Sequence, residues 1–361
     1  MWFYMAERSG IHYNLEGELV AHVSAQEYLI NKEAYLQKVD QLSIYGTIKA
    51  EQAPGLFQHE NRLSESRVKT IDISELHSDT PVESTAEMFK GNKNLEKIVG
   101  IESFGAMKDG VEHVTDMHEM FAGCSSLKSL NLGAWKPSVN EPKQMASMAG
   151  MFKDCASLES VTFECAENGS QVINWHGAKN MAEMFKDCKS LTELDVSAFT
   201  AYKRPMPEDV CDFAAGCDKL RQVSLPIFMS STDREERAIS RETMFHGDHA
   251  LRYLSGGNET IQKDQGRFLE GALRNEGGYS YQQAANWAKT VVSSELNTMS
   301  VVRRGYMMEY LDELEARNVT KSAEKQDRIH GESMMSRGQM AESQFGHIGG
   351  VDVSFEPEAG K

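Results

Sequence analysis

The cysteines and methionines carry the side chains best suited to metal or redox chemistry, and the chain has six of the first and twenty of the second. In the stretch MAEMFKDCKSLTELDVSAF, residues 181–199, Cys188 closely follows a Met-Phe pair. Thiolate and thioether sulfur bind copper, haem iron or zinc, yet the CxxC pairs and Cys-His clusters of zinc sites do not occur. The same spacing returns at Cys124 and Cys155, which indicates a repeat position rather than a set of metal ligands.

A second candidate for metal binding is the stretch HGDH, in which His246 and His249 flank Asp248 at a spacing that one helical turn could bring together. Aligned with the repeat, however, Asp248 takes the cysteine position and His246 a variable surface position, so we interpret the stretch as a degenerate outer repeat. The P-loop, GxGxxG and GxSxG motifs are absent as well. The sequence therefore predicts no enzyme, no bound metal and no cofactor.

Internal repetition dominates the sequence. The motif of residues 181–199 returns clearly twice, as MHEMFAGCSSLKSLNLGAW and MAGMFKDCASLESVTFE, and more weakly as VCDFAAGCDKLRQVSLPIF. Two outer copies are more degenerate, and VKTIDIS from Val68 supplies a strand alone. Six units spaced about 30 residues apart are marked by one phenylalanine each, namely Phe89, Phe121, Phe152, Phe185, Phe213 and Phe245.

Each unit is expected to contain one short helix, a turn and one short strand, because apolar residues first recur at i, i+3 and i+4 and then alternate. Units of this length cannot bury their own faces alone and must stack. Cysteines at one repeat position would then form a column between units, so we expect reduced, buried thiols rather than disulfides or metal ligands. Core packing, rather than copper or haem ligation, is expected for Met117, Met148, Met151, Met181 and Met184.

The run MxxMFxxCxSLxxLxL resembles the BspA-like leucine-rich repeat, which occurs in large arrays on bacterial surface proteins and in some parasite proteins. The resemblance covers residues 68–255, about half of the chain. It implies an α/β solenoid, a leucine-rich-repeat array with a parallel sheet on the concave face, and a role in adhesion or protein binding.

In each predicted strand the residues between the core positions should point outward, and the variable loops should add aromatic and basic anchors of the kind enriched at interfaces. On the strands the predicted contact residues are Asp72, Lys97, Asn131, Thr162, Glu193, Asp195, Gln222 and Tyr253. In the loops they are Trp175, Tyr202, Lys203 and Arg204.

Residues 1–67 lack the repeat and are predicted to form a small N-terminal α+β cap. Alternating apolar residues predict a hairpin, and Ser24 with Glu27 predicts the capped start of a helix. A secretion or chaperone-recognition role of this region is the alternative.

Residues 68–257 hold the repeats, and residues 258–318 are predicted to form three short amphipathic helices, a C-terminal cap or small helical module. Ser280 and Gln283 provide the capping box of one of these helices. Residues 319–361 are polar and aperiodic, so we expect a disordered tail.

The formal charge of −16 argues against nucleic acid as a partner, since that affinity comes from clustered Lys and Arg. We expect a non-enzymatic protein that binds a protein partner, whereas a small-molecule ligand is not expected. Two alternatives stay open: an effector delivered into a target cell, with the repeats choosing the target, and a regulatory subunit or protease substrate with a flexible C-terminal tail.

The N-terminal sequence lacks the basic and apolar regions of a Sec signal, and no run of 18 apolar residues suggests a membrane span. The chain is therefore expected in the cytoplasm or outside the cell by a signal-independent route.

Overall fold

A computed structural model gives the architecture of the chain, which divides into compact units at Met1–Met307 and Met308–Lys361. The structure describes residues 10–59, 65–101, 114–132, 147–163, 175–176, 179–197, 199–200, 209–225, 243–248, 250–256, 280–297 and 304–317, together with single residues at 266, 269, 270, 272 and 299.

The N-terminal region is an α/β layer that continues into the repeats. Strands β1 (Gly10–Tyr13) and β2 (Leu19–Ser24) form the predicted antiparallel hairpin, and helix α1 (Ala25–Lys38) follows. Strand β3 (Gln41–Ile48) then pairs in parallel with β2 and with β4 (Thr70–Ser78). A 3₁₀ turn at Ala50–Gln52 separates β3 from β4.

Helix α1 begins at the predicted cap, because the Ser24 side chain accepts a hydrogen bond from the Glu27 N–H at 3.3 Å. The reciprocal half of the predicted capping box differs. The Glu27 carboxylate instead accepts a hydrogen bond from the Tyr35 hydroxyl at 2.6 Å. The Glu27 side chain therefore bridges two turns of the helix instead of accepting from the Ser24 N–H.

The repeat region is a β-solenoid with parallel sheets. Its short strands, one per unit or rung, lie in register: β4 with β5, β6 with β7, β9 with β11, and β11 with β12. A separate parallel pair joins β8 to β10. The strands are β5 (Lys97–Val99), β6 (Ser129–Asn131), β7 (Ser160–Thr162), β8 (Trp175–His176), β9 (Glu193–Asp195), β10 (Phe199–Thr200), β11 (Gln222–Leu225) and β12 (Tyr253–Gly256).

The Met-Phe segments before these strands are series of turns, so the short helix predicted in each unit is not found. A helix requires negative φ throughout and N–H bonds to the fourth residue back. Here left-handed residues interrupt each segment. φ lies between 50° and 56° at Glu87, Glu119, Glu183 and Asp212, and a second left-handed residue follows four positions later, as at Gly91.

The turn segments alternate between two kinds of hydrogen bond. The Ala122 N–H donates to the Glu119 carbonyl three residues back at 3.0 Å, whereas the Phe121 N–H donates to Met151 in the next rung at 2.9 Å. Half of these backbone groups thus pair within a rung and half between rungs, as in a sheet. Isolated parallel bridges continue the stacking along a second line, at Ser84, Asp116, Ser147, Asn180 and Asp209.

Stacked side-chain columns form the core between rungs. Phe89 and Phe121 are fully buried, and their rings stack with centroids 5.5 Å apart and planes 7° apart. The methionines predicted as core residues are buried, and Cys124, Cys155, Cys188 and Cys217 are free and buried, as predicted.

The phenylalanine column begins one rung earlier than the repeat motif indicates. Near its other end, the stacked ring contacts give way to an edge-on contact. Phe57 stacks on Phe89 at 5.2 Å, and its N–H donates to the Met88 carbonyl. Phe213 lies one position early, with Ala214 in the usual phenylalanine place. The Phe213 ring therefore meets Phe185 edge-on, at an interplanar angle of 73°.

After the repeats, helix α2 (Tyr281–Glu295) begins with the predicted capping box of Ser280 and Gln283. A further helix, α3, covers residues 304–317, and only single residues are described in the predicted helix before Ser280. The Arg252 guanidinium of the last rung lies 5.3 Å from the Trp287 ring of α2. None of the helices in the described part of the chain is long and apolar enough to cross a membrane. The predicted tail at 319–361 lies outside the described residues.

Candidate binding face of the parallel strands

Short strands such as β9 have a core residue in the middle and one polar residue on each side of it. We call the surface formed by these polar residues the outward face. In β9, Leu194 is 2% exposed, while Glu193 and Asp195 are both exposed. β6 repeats the pattern, with Leu130 buried between two exposed neighbours. Because successive side chains of a strand alternate between its two sides, a buried middle residue fixes both neighbours outward.

The register aligns the outward residues of successive strands in two rows. In one sheet Glu193 pairs with Gln222, and Gln222 with Tyr253. In another, Asn131 pairs with Thr162. Of the residues predicted from sequence, those exposed on this face are Lys97, Asn131, Thr162, Glu193, Asp195 and Gln222.

For the remaining predicted contact residues other than Asp72, the structure describes the backbone alone or nothing. Tyr253 has the expected backbone position in β12, and Trp175 pairs with Phe199 across β8 and β10. The side chains of Tyr253 and Trp175 are not described. Tyr202, Lys203 and Arg204, in the loop after β10, lie outside the described residues.

Asp72 differs from the prediction, because it is only 8% exposed. Its Oδ1 accepts hydrogen bonds from the Ser74 N–H at 2.9 Å and the Ser74 hydroxyl at 2.6 Å. Asp195 makes the same two bonds to Ser197 but stays exposed. Both carboxylates thus fix the local backbone, and only that of Asp195 is also open to a partner.

The outward face extends further toward the N-terminus than the repeats indicate. His22 of β2 pairs with Ser43 of β3, which in turn pairs with Asp72. The His22 Nδ1 lies 3.0 Å from the Ser43 hydroxyl, and its ring stacks on Tyr45 with centroids 4.8 Å apart. Sequence reasoning missed this part of the face.

The signal that could have found it is the alternation in QLSIYGTI. Leu42 and Ile44 are each 1% exposed, whereas Ser43 and Tyr45 are half-buried on the other side. Such alternation predicts a strand with one outward side. Only long-range pairing with β4 shows that this side continues the face of the repeats.

Charges are arranged differently on the turn segments and on the outward face. Between rungs, Lys153 pairs with Glu183 at 2.6 Å and Lys186 with Asp212 at 2.8 Å. Within one rung, Lys186 also pairs with Glu183 at 2.8 Å. Hydrogen bonds to Asp212 and Glu183 raise the pKa of Lys186. Within the described residues, Lys97 and Glu193 of the outward face make no ion pair. The turn charges therefore stabilise neighbouring rungs, while the face charges remain available.

The buried thiols are poorly suited to catalysis or metal binding. Burial raises the pKa of Cys124 to about 12, and Cys124 Sγ donates a hydrogen bond to the Phe89 carbonyl. A thiol must lose its proton to act as nucleophile or ligand. Across the part of the chain that the structure describes, no group of three His, Cys, Asp or Glu side chains could hold a metal ion.

Comparison with known protein families gives a match for part of the chain. Residues 54–199 match the family model described as "Mycoplasma protein of unknown function, DUF285". Neither a curated protein nor a solved structure matches the chain. The matched region begins at Pro54, directly before the segment in which the Gly55 and Phe57 N–H groups bond to the following rung. From this first rung to Phe199 at the start of β10, the chain is thus similar to this family.

Proposed function

We propose that the chain is a non-enzymatic binding protein whose repeats are of the BspA-like leucine-rich type, and that it recognises a protein partner through the outward face. Three findings support this proposal: the recurrent MxxMFxxCxSLxxLxL motif, the solenoid with parallel sheets, and the match over residues 54–199. The observation that carries it is the regular exposure of two polar residues on successive strands.

The partner would lie across several strands. Parallel strands are about 4.8 Å apart, so a segment of roughly seven extended residues would cross from β3 to β9. The central residues Ser129, Asn131, Ser160 and Thr162 are short and exposed. They offer hydroxyl and amide groups for hydrogen bonds without a deep apolar pocket.

The face differs in chemistry between β3 and β9, and this difference suggests where the strongest contacts lie. Tyr45, stacked on His22, supplies a rigid aromatic surface of the kind that dominates interface energies. Glu193 and Asp195 make the face acidic at β9, which favours a basic residue of the partner there. We therefore propose that Tyr45 and Glu193 are the principal contacts.

Affinity measurements on face variants test this proposal. The full chain is used to isolate a partner, and the dissociation constant is measured for the double variant Tyr45→Ala, Glu193→Ala. Loss of these two principal contacts should weaken binding by about tenfold or more. Circular dichroism establishes that the variant keeps its fold.

The matched control is Tyr13→Ala, Glu51→Ala. Tyr13 is 73% exposed. Because Gly10 of β1 pairs with His22 of the outward face, strand alternation places Tyr13 on the other side of β1. The Glu51 side chain is 78% exposed, outside the repeats. Weaker binding of the face variant with unchanged affinity of the control supports the proposal. Unchanged affinity of the face variant, or equal loss in both variants, rejects it.

A further inference from the structure

One repeat position, from Asn92 to Cys217, supplies a hydrogen-bond donor to the preceding rung. The Cys217 thiol donates to the Phe185 carbonyl of the preceding rung at 3.1 Å. In the first rung interface, the Asn92 side-chain amide does the same to Phe57 at 2.7 Å. The thiols of the intervening rungs, Cys124, Cys155 and Cys188, donate in the same way.

Asp248 occupies this donor position in the last rung and is fully buried. Its Oδ1 accepts a hydrogen bond from the Cys217 N–H at 2.7 Å. In the earlier rungs the corresponding N–H, such as that of Cys188, donates to a carbonyl three residues back. Oδ2 of Asp248 is buried and has no hydrogen-bond partner among the described residues.

An ionised carboxylate has no proton to donate, whereas a neutral acid has one. The repeat places the receiving carbonyl at Ala214, which takes the phenylalanine position of the rung before Asp248. We propose that Asp248 is a neutral carboxylic acid in the folded protein, that its Oδ2–H donates to the Ala214 carbonyl, and that the last rung is consequently loosened as pH rises.

The surroundings of Asp248 agree with a neutral acid. Burial raises its pKa well above the ordinary value, and the Cys217 thiol and the Asp218 carboxylate raise it further. The N–H groups of Cys217 and Gly216 act in the opposite direction. The Asp187 carboxylate also lies beside Gly216, since a Cβ on that glycine would be 2.7 Å from Asp187 Oδ1.

The pH dependence follows from the direction of this shift. A group that holds its proton more tightly when folded stabilises the protein fully below its unfolded pKa, and this contribution is lost as pH rises through the folded pKa. The last rung also carries β12 and Arg252, which contacts Trp287 of α2. Ionisation of Asp248 would therefore weaken the end of the solenoid next to α2.

The test compares the full chain with the variant Asp248→Asn by denaturant unfolding over a range of pH. At any pH, an asparagine side chain can accept from the Cys217 N–H and donate to the Ala214 carbonyl. Asn92 donates to the Phe57 carbonyl in this way. The ratio of the two unfolding constants should grow in favour of the variant by up to about tenfold per pH unit between the unfolded and folded pKa values. Infrared spectra of the folded wild type should show a protonated carboxyl band that Asp248→Asn lacks.

A second variant, Asn92→Asp, introduces the same acid at the same repeat position, at the first rung interface. It should acquire the pH-dependent loss of stability that Asp248→Asn removes. The exposed carboxylate variant Asp218→Asn serves as the control and should retain the wild-type infrared band. A stability difference between wild type and Asp248→Asn that does not change with pH, or no protonated carboxyl band, would overturn the proposal.

Discussion

The thiol of Cys188 lies 3.2 Å from the main-chain carbonyl oxygen of Phe152 in the preceding rung, and its proton points across the interface between the two rungs. The same carbonyl also accepts from the Cys155 N–H within its own rung at 3.1 Å. A cysteine here therefore supplies a buried carbonyl with a second donor while filling space as a small apolar side chain. This role explains the regular Met-Phe-Cys spacing without any chemistry at sulfur.

Thiol reactivity should follow this arrangement. In the folded protein, Cys124, Cys155, Cys188 and Cys217 should resist alkylation, because they are buried and burial raises the pKa of thiols such as Cys155. Cys211 is partly exposed and should react faster. Peptide mass spectrometry after brief iodoacetamide treatment measures each site, with the denatured chain as control. Modification of the four buried thiols as fast as Cys211 would contradict the assignment.

The left-handed conformation of Glu183 allows a test of whether the Met-Phe segment forms turns or a helix. At its φ of 56°, a side chain costs about 1–2 kcal/mol relative to glycine. Glu183→Ala and Glu183→Gly both remove the ion pairs to Lys153 and Lys186, which are partly exposed and contribute modestly. The glycine variant should therefore be the more stable of the two by about 1 kcal/mol.

Urea unfolding of the two Glu183 variants measures this difference. In a helix the order reverses, because alanine is about 1 kcal/mol more favourable than glycine in a helix interior. An alanine variant more stable than the glycine variant would therefore mean that the segment is helical.

Two glycines of one repeat position should differ sharply in their tolerance of a side chain. Both are left-handed, with φ of 80° at Gly91 and 74° at Gly123. A Cβ at Gly91 would lie 2.1 Å from the His59 carbonyl oxygen, whereas at Gly123 the nearest atom would be 3.6 Å away. Gly123→Ala should cost about 1–2 kcal/mol for its backbone conformation. Gly91→Ala should cost at least about 1–3 kcal/mol more, because backbone must move.

Chemical denaturation of the two glycine variants provides the comparison. Equal destabilisation would mean that residues 55–59 do not pack on the following rung as described. The experiment thus also tests whether the stack begins with Phe57, before the first clear repeat.

The strands were predictable from sequence, whereas the segments before them were not. Alternation such as that of Leu194 and Val196 fixes a short strand and its buried side, as found in β9. Spacing of Met181, Met184 and Phe185 matches one face of a helix but equally suits successive turns. What decides between them is where each N–H bonds, and half of those bonds cross to another rung.

The candidate site was predictable where the repeat motif is strong. Lys97, Asn131 and Glu193 were placed outward by the strand pattern, and they are exposed. The Tyr45 and His22 pair was missed because its link to the repeats depends on pairing of β3 with β4, far apart in sequence. Burial of Asp72 likewise depends on its tertiary surroundings rather than on the strand pattern.

Site-specific photo-crosslinking tests most directly whether the outward face binds the partner. A photoreactive aromatic residue replaces Thr162, exposed on β7, or Tyr13, exposed on the other side of β1. If the face is the binding surface, irradiation with the isolated partner crosslinks it at position 162 and not at position 13. Crosslinking at position 13 with none at position 162 would contradict the account.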